Sequence, residues 1–256
     1  MSRLAVTEQF FDHLRMLQAE SDLFRLMEDV TAEIGFRYFA LLNHVDLSNP
    51  PDHAVFIGNY PSAWAEYFIE NRLFLEDPIL RASMTTHVGF HWHDVPKMIG
   101  ITSRQQAILD RAARHGLGSG FTIPANIPGE SHGSCSFATR QGVELPSKNL
   151  LLAQLIGAFA FQAARRLKQG NALSLRPAPR LTPRQRDCLL WAIRGKTDWE
   201  ISRILGLSQE TVSQHLDMAR ERYNVTKRMP LAVRAIFDGQ ISFMEAFARQ
   251  FPLKRE

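Results

Sequence analysis

The sequence predicts an α+β protein: an N-terminal α/β/α sandwich around a mostly antiparallel sheet, then a C-terminal all-α domain of helix-turn-helix type. Three observations carry this. Apolar residues recur at helical spacing on both sides of a central group of alternating, strand-like segments. A stretch without periodicity, QGNALSLRPAPR at 169–180, divides the chain with two prolines and a glycine. Beyond it every periodic segment is helical and starts at a marked cap.

The first part, residues 1–168, reads as follows. Residues 10–34 form one helix with an apolar stripe through Leu14, Leu17, Leu23, Phe24, Leu26, Met27 and Val30, closed by Gly35. FRYFALLNHV (36–45) is a strand, and HAVFIGN (53–59) a second one after the turn Asn49-Pro50-Pro51-Asp52. Residues 61–71 are helical, Asp77-Pro78 opens another helix, 88–92 is extended and 103–115 is helical. Gly116 and Gly118 punctuate the entry to two strands, GFTIPANI (120–127) and GSCSFATR (133–140), and Pro146 starts a long helix to about Lys168. Such a layer buries a core and can leave a pocket between sheet and helices.

The second part comprises a helical domain, 181–241, and an extension, 242–256. Thr182-Pro183-Arg184-Gln185 is a capping box with proline at the first helical position. Its helix carries Leu189, Leu190, Ala192 and Ile193 and ends at Gly195. Thr197-Asp198-Trp199-Glu200 opens a short helix with Ile201, Ile204 and Leu205 inward. After the turn Gly206-Leu207, Ser208 caps a third helix with Val212, Leu216, Ala219 and Tyr223 on one face. Gln209, Ser213, Gln214, Asp217, Arg220 and Glu221 occupy the opposite face, and a fourth helix covers 230–238. In the extension Phe243, Phe247 and Phe251, four apart, would line one helical face with Met244 beside them, packing within the chain or across a dimer.

Composition narrows the function. The 256 residues carry a net charge of +4. Residues 1–175 hold 15 Lys and Arg against 17 Asp and Glu, and 176–256 hold 15 against 9, so the helical end alone carries +6. A short helix, a glycine turn and a longer helix with a polar face is the helix-turn-helix arrangement, whose second helix enters the major groove of duplex DNA. A plain helical bundle shares that spacing; the basic charge favours DNA. Lys196, Arg220, Arg222, Lys227 and Arg228 are the phosphate candidates, and Ser213, Gln214 and Asp217 the base-edge candidates.

Two cysteines, Cys135 and Cys188, fit a reducing cytoplasm. Glu8 and Asp12 interrupt the region where a secretory signal needs an apolar core. The apolar run 150–161 is broken by Gln154 and falls short of the roughly 20 residues of a membrane span. A soluble, cytoplasmic protein without a membrane partner is expected. His87, His91 and His93 lack an acidic or cysteine partner at metal spacing, although His91 and His93 would share a strand face, so no metal is expected. Cys135 reads as a small buried hydrophobe, and with no G-x-S-x-G elbow or phosphate-cradling loop, catalysis is not expected. The first strand ends in His44-Val45-Asp46 without the acidic pair of a phosphoacceptor domain.

A helix over 61–71 sets Trp64 and Phe68 one turn apart, with Asp77 at the next helix start. Asp77 followed by Pro78 reads as a cap, and a carboxylate has lone pairs enough to cap and also accept a ligand N–H. Aromatics around one buried acid suit a small, mostly apolar ligand with one or two polar groups; the same stripe also builds plain cores.

The segment LTPRQRDCLLWAIRGKTDWEISRILGLSQETVSQHLDMARERYNV resembles the DNA-binding domain of LuxR-type transcription regulators. It has their Leu-Thr-Pro-Arg opening, the Gly195-Lys196-Thr197 turn, the Glu200-Ile201 pair, and Thr211-Val212 with His215-Leu216 in the recognition helix. On that likeness Thr197 and Thr211 join the DNA-binding set. Gln185 stands where the family has glutamate, yet still completes a capping box. Residues 20–168 resemble the autoinducer-binding domain of quorum-sensing receptors for N-acyl-homoserine lactones, through Tyr60, Trp64, Asp77-Pro78, Trp92 and Gly120 at matching intervals and the strand GSCSFAT. The resemblance implies an N-acyl-homoserine lactone ligand and no other cofactor. Trp64 would donate to the lactone carbonyl, Asp77 would accept the amide N–H, and Tyr60 and Ser136 would serve the acyl carbonyl. Phe68 and Trp92 would complete the wall, with Pro78 and Gly120 structural. Phe68 stands where the family has tyrosine, and Tyr67 lies about 100° round the helix. An orphan regulator answering to a different molecule, or to none, is therefore the alternative. Paired half-sites imply a homodimer, with the helix over 146–168 as its surface.

Overall fold

The computed structural model describes residues 3–127, 130–169 and 179–247. The chain divides into two compact units, Met1–Leu173 and Ser174–Glu256. Most of the expected linker, 170–178, lies outside the described residues.

The first unit contains β1 (Tyr38–Asn43), β2 (Phe56–Gly58), β3 (Phe90–His91), β4 (Leu117–Pro124) and β5 (Gly133–Arg140). They form one five-stranded sheet in the order β2-β1-β5-β4-β3, antiparallel at every pairing. Side chains alternate along each strand. Phe39, Leu41, Phe121, Ile123, Cys135 and Phe137 enter one core, whereas Ala40, Leu42, Ser134 and Ser136 face the opposite side. The first face is covered by α1 (Arg3–Met16), α2 (Glu20–Glu33) and α7 (Leu150–Gln169). The second is covered by α3 (Ser62–Glu70), α4 (Pro78–Ser83), α5 (Val95–Ile99) and α6 (Ser103–Arg114).

Three details depart from the sequence reading. The single helix expected over 10–34 is two helices: Ala19 is extended (φ −131°, ψ 152°), and α2 restarts with Glu20 and Asp22 in its first turn, where acids suit the positive end of the helix dipole. The apolar stripe runs through the break because Phe10 and Leu14 of α1 and Leu23, Met27 and Val30 of α2 enter the same core. Gly118 lies inside β4, not before it, at an irregularity between Leu117 and Gly120, and a Cβ there would come 2.3 Å from the Arg140 carbonyl oxygen. His91 and His93 do not share a strand face, since Trp92–Asp94 is a 3-10 turn; their rings are 5.0 Å apart, and His93 pairs with Asp94. Among the described residues no cluster of three His, Cys, Asp or Glu could hold a metal ion.

Helix α7 is long and apolar enough to cross a membrane by length and composition. Its inner face, with Ala153, Ile156, Ala160, Phe161 and Ala164, is instead built into the sheet core. Its outer face exposes Leu151, Leu155 and Phe159.

The second unit contains α8 (Pro183–Ile193), α9 (Asp198–Leu205), α10 (Gln209–Arg222), α11 (Arg228–Phe237) and α12 (Phe243–Phe247). Thr182 with Gln185 and Thr197 with Glu200 both form complete capping boxes, and Ser208 caps α10 through Thr211 N. Gly206, left-handed at φ 66°, makes the turn between α9 and α10. Cys188, Leu189, Ile201, Val212, Leu216, Ala219 and Tyr223 share one core. Ile204, expected inward, is exposed: Ile201 alone fills that face of so short a helix, with Leu205 at its edge. Helix α12 packs within the chain on α8, where Arg186 pairs with Glu245 and Arg194 Nη2 donates to the Glu245 carbonyl at 2.7 Å. Phe243 and Met244 remain exposed, and Phe251 lies outside the described residues.

Candidate functional site

Between the second sheet face and helices α3, α4 and α6 lies a cavity of about 250 Å³. That is just under the roughly 300 Å³ at which drug-sized ligand pockets begin, so it suits a guest of modest size. Tyr60, Trp64, Phe68, Asp77, Trp92 and Ser136 all line it. Pro78 is the first residue of α4. Gly120 lies directly beneath Trp92, where a Cβ would come 2.2 Å from indole Cε2.

The polar groups fall into three sets. Asp77 is the N-cap of α4, its Oδ1 accepting from Ile79 N at 2.6 Å and Leu80 N at 3.1 Å. Oδ2 takes no part in the cap. Burial pushes this carboxyl up from 3.8 to about 6, against the pull of the two backbone bonds. Trp64 is buried against Tyr67, Phe68 and His115, with ring centroids 6.4, 5.5 and 5.6 Å away. Its indole N–H donates to no acceptor among the described residues.

The third set is a relay. Trp92 Nε1 donates to Thr122 Oγ1 at 2.8 Å, Thr122 Oγ1 lies 2.7 Å from Ser136 Oγ, and Ser136 bonds the Tyr60 hydroxyl. Burial holds the Tyr60 phenol well above its usual range, so it stays a neutral donor. Three hydroxyl protons serve two hydroxyl–hydroxyl bonds here, which leaves one proton for a guest acceptor. Apart from Ser134, the rest of the wall, including Leu42, Ile57, Ile79, Leu80, Ile108 and Leu109, is apolar. The cavity therefore offers one anionic acceptor, an indole donor and a hydroxyl donor to a molecule with an otherwise apolar body. Phe68 presents a ring without a hydroxyl, and Tyr67 is turned away beneath the Arg111 guanidinium, 4.7 Å from its ring centroid.

On the outer face of the helix-turn-helix, several expected residues are held by neighbours. Lys196 pairs with Glu200 at 2.6 Å, and Thr197 is the cap of α9. Ser213 Oγ donates to Asp198 Oδ2 at 2.9 Å, and Asp198 also holds Arg228. Thr211 Oγ1 lies 3.0 Å from Ser208 Oγ. Asp217 pairs with Arg220, whose Nη1 also donates to the Thr226 carbonyl at 2.9 Å. Arg222 is exposed, with one long bond to the Arg180 carbonyl at 3.4 Å. Gln214 is exposed and makes no hydrogen bond among the described residues.

The autoinducer binding domain family matches residues 19–167, more than half of the chain, and the luxR family of bacterial regulatory proteins matches 179–235. The chain belongs to the LuxR family. The transcriptional activator protein LuxR of Aliivibrio fischeri is 26% identical over 236 residues, 92% of this chain and 94% of its own. The quorum sensing-dependent transcriptional regulator RpaR of Rhodopseudomonas palustris is 28% identical over 237 residues, 91% of this chain and 93% of its own. Escherichia coli SdiA has the same fold, with a TM-score of 0.62 at 23% identity over 92% of this chain and 98% of SdiA. A second SdiA structure, in complex with octanoyl-rac-glycerol, gives 0.62 at 22% identity over 93% and 96%. As a LuxR-family member the chain is a ligand-binding transcription regulator with a DNA-binding helix-turn-helix, and it is not an enzyme. The Cys135 thiol fits that role, since burial raises it far above the range of a reactive thiolate.

Two residues of this LuxR-family chain escaped sequence reasoning. Thr122 joins Trp92 to Ser136, and its signal was present, because the alternation that turns Gly120 towards the cavity turns Thr122 the same way. Trp199 is 61% exposed at the start of α9. It lies about 200° round that helix from buried Ile201, which spacing alone could have shown.

Proposed function

We propose that the cavity binds an N-acyl-homoserine lactone and that its occupancy controls how a homodimer of this cytoplasmic regulator engages duplex DNA. In this reading residues 1–168 sense the ligand, 169–180 link, 181–241 bind DNA and 242–256 extend the DNA-binding unit. The observation that carries it is that Asp77, Trp64, Tyr60 and Ser136, the last bonded to Thr122, all line one largely apolar space. Asp77 accepts the ligand amide N–H, Trp64 donates to the lactone carbonyl, and the spare hydroxyl proton serves the acyl carbonyl. Each such group buried without a partner would cost roughly 1–3 kcal/mol. Ligand shifts the regulator between two states only through a difference in affinity for them.

The test is to melt the purified full chain against a panel of N-acyl-homoserine lactones of increasing chain length. At least one is expected to raise the melting temperature by several degrees, as about 100-fold saturation adds about 2.7 kcal/mol. A panel without effect would sink the lactone reading. A second reading, an orphan receptor for another acyl compound, is favoured by Phe68, which lacks a hydroxyl for the lactone end. It draws support from the SdiA complex with an acylglycerol. The same melts with octanoyl glycerol separate the two.

Two stripes support the homodimer: Leu151, Leu155 and Phe159 on α7, and Met229, Val233 and Phe237 on α11, all exposed at spacings of four. Leu151→Glu is expected to move the sedimentation coefficient towards the monomer or to raise the dimer dissociation constant at least tenfold; no change in either removes α7 from the interface. For DNA, log Kobs should fall linearly with log salt, and Arg222→Ala should lower the magnitude of that slope by about 1 for a lost phosphate contact. An unaltered slope would take Arg222 off the backbone.

A further inference from the structure

The cavity holds a second polar station that the head-group contacts leave unused. The paired residues Thr122, Ser136, Ala40 and Gly58 form one row across β4, β5, β1 and β2. The next row on the same face runs Pro124, Ser134, Leu42 and Phe56. Ser134, Leu42 and Phe56 all line the cavity. Ser134 thus sits two residues from Ser136, about 7 Å further along the sheet, in a row otherwise apolar. A hydroxyl buried in such a row is costly unless bonded.

Its partner is His44, whose Nε2 lies 3.0 Å from Ser134 Oγ. Burial, with His132 nearby, pushes the imidazole down to about 4, so it is neutral at pH 7. Nδ1 is buried with no hydrogen-bond partner. A neutral ring carries one N–H, and a buried N–H is rarely left unpaired. Placing it on Nε2 leaves only a bare lone pair at Nδ1 and makes the imidazole the donor to Ser134. The Ser134 proton is then free to point at an acceptor in the cavity.

We propose that the Ser134–His44 pair reads a second oxygen of the ligand, a hydroxyl or carbonyl on its acyl tail, about 7 Å beyond the oxygen served by Tyr60 and Ser136. The inference rests on the reading of the cavity as an acyl-amide site. Two residues of extended backbone contain six bonds, so the oxygen belongs roughly six bonds along an extended chain from the amide carbonyl carbon. The preferred ligand then carries a polar substituent near its tail rather than a plain alkyl end.

The experiment compares three probes by calorimetry on the full chain: N-octanoyl-homoserine lactone, its 7-hydroxy derivative and its 3-hydroxy derivative. The wild type should bind the 7-hydroxy probe about five- to tenfold more tightly than the plain one, the effect of one buried hydrogen bond, and the 3-hydroxy probe no more tightly than the plain one. Ser134→Ala should abolish the preference and bind the plain probe at least as well as the wild type does. If that variant does not fold, Ser134→Cys, with its weaker donor, should reduce the preference. A preference retained in the variants, or a wild type that favours the plain chain, overturns the proposal. Octanamide and 7-hydroxyoctanamide, which lack the lactone, separate this from the head-group reading. A preference for the hydroxylated amide when no lactone binds upholds the tail station and overturns only the lactone; no binding by either pair overturns both.

Discussion

Replacing Asp77 with asparagine is expected to stabilise the ligand-free sensing unit while weakening its ligand about 10- to 100-fold. Asparagine caps helices as well as aspartate does, so the bonds from Ile79 N and Leu80 N can persist. What disappears is a buried charge. The folded state holds this proton more tightly than the unfolded chain, at about 6 rather than 3.8. The stability contributed by the group is therefore complete below 3.8 and is lost as pH rises through 6. At pH 7 the ionised carboxylate destabilises the fold by on the order of 3 kcal/mol. Part of that is recovered by asparagine, worth about 5 °C in melting temperature for a unit of this size. The ligand moves the other way, because a charge-assisted bond worth about 1.5–3 kcal/mol is lost. In the wild type an N–H donor prefers the ionised carboxylate, so affinity should fall by up to about tenfold per pH unit below 6. The Asn variant should show no such slope. Calorimetry from pH 5 to 8 on both proteins, with the lactone giving the largest melting shift, checks both arms. Equal affinities at pH 7 and parallel pH profiles would take Asp77 out of the binding site.

Much of the fold was legible because local chemistry and tertiary context agree. The Thr-Pro-Arg-Gln and Thr-Asp-Trp-Glu caps, the Asp77-Pro78 helix start and the alternation in GSCSFATR each name an element and its orientation. In β5, Cys135 and Phe137 face the sheet core while Ser134 and Ser136 face the cavity, as a period of two demands. The break between α1 and α2 was not legible. Residues Leu17-Gln18-Ala19 contain no glycine, proline or cap, and the apolar stripe continues across them because both helices bury against the same core. Ile204 was misread for a related reason: an apolar residue in a short helix need not face the core when Ile201 already fills it.

The site was half legible. Helical spacing set Trp64, Phe68 and Asp77 together, and the resemblance to autoinducer-binding domains added Tyr60, Trp92 and Ser136; all six line the cavity. Their connections were not legible. The bonds from Trp92 to Thr122 and from Thr122 to Ser136 depend on which residues of β3, β4 and β5 lie opposite one another. A slip of one residue would turn Thr122 into the core and dissolve the relay. The pairing of His44 with Ser134 is set by the β1–β5 register in the same way.

That dependence makes Gly120→Ala the second change with a large expected effect. A methyl group at residue 120 would stand 2.2, 2.3 and 2.5 Å from Cε2, Cδ2 and Cζ2 of Trp92, closer than any real carbon contact. The indole cannot slide freely, because its Nε1 is bonded to Thr122 and its ring forms part of the cavity wall. Either it leaves Thr122, which unties the relay to Ser136 and Tyr60, or it moves into the space meant for the guest. Overpacking costs typically about 1–3 kcal/mol and a broken buried hydrogen bond about 1–3 more, which together predict a melting temperature lowered by about 5–15 °C. Ligand affinity should fall with it, since both escapes disturb the wall. The cause is separable from any general intolerance of alanine in β4 by a double-mutant cycle. In a Trp92→Ala background the three atoms nearest the methyl are gone, so Gly120→Ala should cost much less, giving a coupling of at least about 1 kcal/mol. If Gly120→Ala costs the same with and without the indole, the glycine is required by the strand itself, and Trp92 is not what dictates it.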